Sequence, residues 1–337
     1  MSETTATSGE GTASADTIGF IGLGNMGGRM TRCITREGRA VLGFDPRTQS
    51  IGEAGAEAAS SGADVVANSD IVLLSLPDSK VVEAVIYKDE AFLANIREGQ
   101  IVVDLSTAAP ASTKKIAAAL AERGAFYLDA GISGGAAGAD AGTLTLMVGG
   151  DTAALERVRP VLDYFASNIF HVGDSGAGHT VKLLNNFLNA VTLAATAEVM
   201  VAAKKADLDL ETVLDVINAS SGVSFASQNR FPKIIKGDYL KGGLTNTLML
   251  KDVTLYLDLV SELGVASLNA PGPIASFGLA RALGYADEIS NTVVDAIGDV
   301  SGGVRLFDPD AASAATSDNT AADSAASDSA ATDKDAS

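Results

Sequence analysis

The chain has 337 residues, enough for two domains of ordinary size, and its 47% hydrophobic and 20% charged residues are the balance of a globular protein. A formal net charge of −18 with no basic patch argues against nucleic acid and anionic membranes as partners. A lone cysteine, Cys33, excludes an internal disulfide and points to a reducing, cytoplasmic setting.

Residues 1–16 are rich in Ser, Thr, Gly and Ala, lack the charged and apolar regions of a secretory signal, and are expected to be disordered. From Thr17 an apolar strand runs into a glycine turn and then an amphipathic helix containing Met30, Cys33 and Ile34. Gly22, Gly24 and Gly27 keep the G-x-G-x-x-G spacing. The first permits the tight turn, the second lets a pyrophosphate approach the backbone, and the third allows the helix to close on the strand. Asn25 and Met26 lie at the start of that helix, whose free N–H groups suit an anion. A second strand, from Ala40, ends at Asp45, near the spacing of about 20 residues expected for a carboxylate that holds the adenosine ribose. Arg47 pulls the other way, since a guanidinium pairs with a 2′-phosphate. NAD is therefore the expected cofactor, with NADP possible.

Strands and helices go on alternating to about Gly173. Strand 71–76 ends at Leu76 and Pro77, and strand 100–105 ends at Ser106 and Thr107. Strand 126–130 leads into a glycine-rich loop at Ser133, Gly134 and Gly135, and strands 144–150 and 169–172 follow. This alternation predicts a doubly wound, mostly parallel Rossmann-type sheet over residues 17–177, with ligands at the carboxyl ends of the strands. The consecutive small residues after Ser133 offer N–H groups to a carboxylate.

No apolar run reaches about 18 residues, so no membrane span is expected. From residue 178 the pattern turns helical. A long proline-free and glycine-free helix from His179 to Lys205 opens an all-α domain that runs to residue 307. Lys182, Asn185, Asn186 and Asn189 fall at i, i+3, i+4 and i+7 of this helix, on one face. Asparagine is a poor helix former, so a stripe of three suggests a cleft rather than a solvated face. Residues 308–337 carry seven Asp and one Lys in a run of Ala, Ser, Asp and Thr, the composition of a disordered acidic tail. No grouping of His, Cys, Asp and Glu has metal-ligand spacing, so no metal is expected.

Taken in order, Gly19 to Gly27, Leu76-Pro77, Asp104 to Thr107, Ser133-Gly134-Gly135 with Gly142-Thr143-Leu144, Gly178 to Asn186, and Lys251-Asp252 resemble the signatures of the β-hydroxyacid dehydrogenases. That family includes 3-hydroxyisobutyrate dehydrogenase and tartronate semialdehyde reductase. The resemblance spans about residues 17–300 and implies hydride transfer between a nicotinamide and a small anionic hydroxy acid or semialdehyde. It implies that Lys182 is the catalytic acid/base, with Asn186 as its partner and a substrate contact. Ser133, Gly134 and Gly135 would hold the substrate carboxylate, and Leu76, Pro77, Thr107 and Lys251 would touch the cofactor. Homodimers or homotetramers are implied as well. One departure is Gly131-Ile132, where relatives often carry Pro-Val. Asn185 replaces the His of 6-phosphogluconate dehydrogenases, and the presence of Lys182 sets the chain apart from imine reductases, a runner-up reading. The other alternative is a dinucleotide-binding sensor without catalysis. His179 and His171 are the two candidates for a lactate-dehydrogenase-type histidine, His171 the more structural of them.

Overall fold

A computed structural model describes residues 16–88, 90–240 and 243–307, so the expectations for residues 1–15 and for the acidic tail lie outside the described residues. The chain divides into two compact units, with the boundary between Lys182 and Leu183.

Unit 1 is built on one sheet of eight strands: β1 (Ile18–Ile21), β2 (Val41–Phe44), β3 (Glu57–Ala58), β4 (Ile71–Leu74), β5 (Ile101–Asp104), β6 (Phe126–Ser133), β7 (Leu144–Gly149) and β8 (Ala166–Gly173). Their order is β3-β2-β1-β4-β5-β6-β7-β8. All neighbours are parallel except β6 and β7. The central strands are apolar without alternation, as in Ile71-Val72-Leu73-Leu74, because both sheet faces are covered. Helices α1 (Gly27–Arg36), α7 (Gly135–Ala141) and α8 (Thr152–Leu162) pack on one face, and α3 (Gly62–Ala67), α5 (Glu90–Asn95) and α6 (Pro110–Ala121) on the other. Two short helices, α2 (Thr48–Glu53) and α4 (Ser79–Glu83), complete the set. The chain reverses direction between β1 and β4, which opens the crevice where such sheets bind ligands.

The strand predicted to stop near Ala130 runs on to Ser133, because Gly131, Ile132 and Ser133 pair antiparallel with Met147, Leu146 and Thr145. The expected loop beyond it is helix α7, whose small residues fit closely against α1.

Unit 2 is helical: most of α9 (Ala177–Lys205), then α10 (Leu210–Asn218), α11 (Phe231–Ile234), α12 (Asn246–Glu262), α13 (Pro271–Ala282) and α14 (Val293–Val300). Phe187, Leu193, Met200, Phe231, Met249, Phe277 and Val293 form its core. Its one extended pairing among the described residues is the isolated bridge between Thr245 and Ile289. Helix α9 is long and apolar enough to cross a membrane by length and composition alone, with a mean hydropathy of 1.3 over its most apolar stretch, although its apolar run is interrupted by polar residues. More than half of that stretch is buried inside the protein, where it forms the core of unit 2.

Candidate active site

The turn after β1 is shaped by backbone crowding. Gly22 has φ +91°, a conformation that side chains disfavour, and a Cβ on Gly27 would fall 1.9 Å from the Gly22 carbonyl oxygen. The turn therefore closes tightly onto the start of α1. Beside it, Leu23, Gly24, Asn25, Arg29, Arg32, Arg47, Ser50 and Glu53 line a hollow of about 240 Å³. Its three guanidiniums and its backbone without Cβ cover at Gly24 fit the diphosphate of a dinucleotide.

Asp45 follows β2 and is almost completely buried. One carboxylate oxygen accepts the Leu23 N–H at 2.9 Å, and the other accepts the Arg47 N–H at 2.9 Å and its guanidinium at 3.3 Å. Burial works to raise the Asp45 carboxyl, but the hydrogen bonds from Arg47 and Leu23 outweigh it and hold the group below its usual range. The acid thus braces the glycine turn as well as marking the end of β2. The Arg47 side chain is 70% exposed and reaches over Gly24, where an added Cβ would lie 3.0 Å from its Nη2.

The loops after β4 and β5 are tied together. The Leu76 N–H donates to Ser106 Oγ at 2.9 Å, and the Ala109 N–H donates to Ser79 Oγ at 2.7 Å. Leu76 and Thr107 are half-buried and Pro77 is exposed, all at the carboxyl edge of the sheet.

Ser133 is the last residue of β6 rather than a loop residue, with Gly134 and Gly135 leading into α7. Next to it, the absence of a side chain at Gly131 admits the lysine: a Cβ there would lie 2.5 Å from Lys182 Cβ. Lys182 is only 9% exposed.

The start of α9 is anchored by a buried polar network. Asp129 on β6 accepts the Gly176 and His179 N–H groups at 2.7 and 2.8 Å, which satisfies donors that a helix start leaves open. His179 is fully buried, with Nδ1 2.7 Å from Thr113 Oγ1 and Nε2 3.3 Å from the Asp104 carbonyl. Asp104 accepts the Tyr127 hydroxyl at 2.7 Å, and burial, with the nearby Asp104 charge, pushes the Tyr127 hydroxyl well above its usual range. His179 is therefore committed to the scaffold of this helix, and His171 lies exposed against the Gly150 carbonyl.

In unit 2, the predicted stripe divides. Asn186 is buried and donates to Asp252 Oδ2 at 2.5 Å, whereas Asn185 is exposed and Asn189 half-buried. Lys251 pairs with Asp252 Oδ1 at 3.2 Å. Asp252, fully buried, is thus the residue that orients the Asn186 amide. Sequence reasoning placed it in a signature but gave it no role, although a carboxylate on the apolar face of α12 was its signal. Lys182 and Asn186 stand one turn apart on α9.

Comparison with known proteins bears on the family, the fold and the reaction. Residues 17–173 match the family model described as the NAD binding domain of 6-phosphogluconate dehydrogenase. Residues 176–288 match the one described as NAD-binding of NADP-dependent 3-hydroxyisobutyrate dehydrogenase. The 2-(hydroxymethyl)glutarate dehydrogenase of Eubacterium barkeri is 38% identical over 82% of this chain and 93% of its own. The NAD-dependent L-serine dehydrogenase of Pseudomonas aeruginosa is 39% identical over 87% of this chain and 98% of its own. Among solved structures, the Mycobacterium tuberculosis 3-hydroxyisobutyrate dehydrogenase with L-serine has a TM-score of 0.77 and 33% identity, covering 84% of this chain and 99% of the other. Fold and relatives define an NAD(P)-dependent oxidoreductase that acts on CH–OH groups of small anionic hydroxy acids. The chain belongs to the β-hydroxyacid dehydrogenase family.

Proposed function

We propose that the enzyme oxidises a small β-hydroxy acid to its semialdehyde, or runs the reverse reduction, with Lys182 as the proton-transfer group. The observation that carries the reading is the near-complete burial of Lys182 against Gly131, next to the Ser133 turn and one helical turn from Asn186. Ser133 and the N–H groups of Gly134 and Gly135 hold the substrate carboxylate, which fixes the distance from acid to hydroxyl. Lys182, as the neutral amine, accepts the hydroxyl proton during oxidation and returns it during reduction. Asn186, aimed by Asp252, hydrogen-bonds the reacting oxygen. Gly22, Gly24, Asn25, Met26 and Gly27 would hold the cofactor diphosphate, and Leu76, Pro77, Thr107 and Lys251 its remaining contacts. Bound there, the nicotinamide supplies the hydride acceptor.

NAD is the preferred form, because the Asp45 carboxylate repels a 2′-phosphate and remains ionised well into acid. Arg47 is the competing influence, and it is already engaged with Asp45. Residues 17–177 form the dinucleotide-binding domain, and residues 178–307 a helical domain for substrate binding and oligomerisation. The protein works in the cytoplasm as a homodimer or homotetramer. An exposed apolar line along α9, with Leu184 at 41%, Leu188 at 64% and Val199 at 49%, supports association.

Lys182→Ala is expected to lower turnover by about 10² to 10⁴ while NADH binding persists. The assay follows NADH formation with 3-hydroxyisobutyrate, L-serine and 2-(hydroxymethyl)glutarate, and its consumption with tartronate semialdehyde, repeating each with the phosphorylated cofactor. Turnover of the variant near that of the parent removes Lys182 from the chemistry.

A further inference from the structure

Among the described residues, Arg230 has no carboxylate counter-ion. It closes a π-helical turn, Ala226–Arg230, a conformation that recurs at functional positions. Its guanidinium donates from Nη1 to Asn291 Oδ1 at 2.8 Å and from Nη2 to Asn189 Oδ1 at 3.1 Å. The Asn291 amide is fixed in that sense, because its Nδ2 donates to the Tyr239 carbonyl at 2.9 Å. The guanidinium also lies 5.9 Å from the centre of the Phe225 ring. Among the described residues no carboxylate pairs with it, while nine of the other lysine and arginine side chains do have one. Burial pulls the guanidinium down to about 10, the direction expected of a charge taken from water with only neutral amides in return. Two amide carbonyls hold the group in one orientation and leave other N–H donors of its planar fork available.

The position along α9 gives this cation a use. Asn189 is three residues beyond Asn186, a rise of about 4.5 Å along the helix. We propose that Arg230 binds a second carboxylate on the substrate, so that this enzyme prefers β-hydroxy acids that carry a further anionic group. This rests on the reading that Asn186 faces the reacting hydroxyl. A fork with two parallel N–H donors matches a carboxylate in geometry and restores the missing charge. An alkyl group in the same place would leave the buried cation uncompensated, which selects against monoacids.

The test compares 2-(hydroxymethyl)glutarate with 2-(hydroxymethyl)pentanoate, which differ in the distal carboxylate. The expected result is a kcat/KM at least about tenfold higher for the diacid in the parent enzyme. In Arg230→Gln the diacid loses about 10² and the monoacid no more than about threefold, with Arg230→Lys between the two. Calorimetric titration of glutarate into the enzyme loaded with NADH reads the same contact without turnover, with valerate as the control. Glutarate binding that depends on Arg230 sustains the proposal even if neither acid is oxidised, in which case the hydroxy-acid reading is what fails. Oxidation of both acids without preference, or equal losses for both in Arg230→Gln, overturns the proposal and leaves that reading intact. Equal losses are what a purely structural tie between Asn189 and Asn291 produces. If Arg230→Gln does not fold, the parent's preference and its relaxation in Arg230→Lys decide.

Discussion

Single atoms decide whether the lysine can reach its place. Gly131 faces Lys182 so closely that even a methyl group must displace one of them. Gly131→Ala is expected to cost about 1–3 kcal/mol through overpacking and to lower kcat more than cofactor affinity. Thermal melting and steady-state kinetics on the same preparation check both parts, and an unchanged kcat would show that the helix start absorbs the methyl group. Asp45 carries the clearest linkage to pH. Its folded-state carboxyl titrates below the ordinary value, so its stabilisation is present above the unfolded value of about 3.9 and is lost as pH falls through the folded one. The difference in melting temperature between the parent and Asp45→Asn should therefore be largest near neutrality and shrink toward pH 3. Asp45→Ala should also weaken NAD use and relax discrimination against NADP. A parent enzyme more efficient with NADP(H) than with NAD(H) would assign the choice to Arg47.

At the scale of elements, the placement of Lys182 depends on what holds the first turn of α9. Asp129 supplies two hydrogen bonds to that turn from a strand about 50 residues earlier in the chain. Charge-assisted bonds of this kind are worth about 1.5–3 kcal/mol each, and removal leaves buried N–H groups unpaired. Asp129→Ala should lower the melting temperature by several degrees and reduce kcat together with it. Retained stability would mean that water replaces the carboxylate. Helix α7 is joined to α1 by similar means: Asp140 pairs with Arg29 and Arg32, and Cys33 Sγ donates to the Ala139 carbonyl at 3.1 Å. Helix α7, which follows Ser133, and helix α1, which follows the glycine turn, are thus parts of one packed face.

For the whole molecule, the boundary between the two units falls inside helix α9, between Lys182 and Leu183. Unit 1 holds the glycine turn after β1, Ser133 and Lys182. Unit 2 holds Asn186, Asp252 and Lys251 on helices α9 and α12. The exposed apolar line on α9 leads to the expectation that light scattering will find two or four chains per particle at micromolar concentration. A mass of one chain would assign that line another role. Leu188→Glu, at its most exposed position, should shift any oligomer toward smaller species without loss of secondary structure by circular dichroism.

The sequence alone determined the features that depend on local chain chemistry. The all-apolar strands, the glycine spacing and the change to helical periodicity after residue 178 each follow from neighbours within one turn or one strand. Lys182, Asn186 and the Ser133 turn were legible for the same reason, as spaced residues within continuous signatures. The tertiary structure decided the rest. Nothing local revealed that β6 extends to Ser133, because that extension comes from its antiparallel pairing with β7. Periodicity put Asn185 on the stripe, but in the fold it is exposed, while Asn186 is buried and bonded to Asp252 of α12. Asp252, Asp129 and Arg230 have hydrogen-bond partners 41 to 66 residues away, as with the 66 residues that separate Asn186 from Asp252. Burial and charge compensation are properties of the folded surroundings, and no window of sequence contains them.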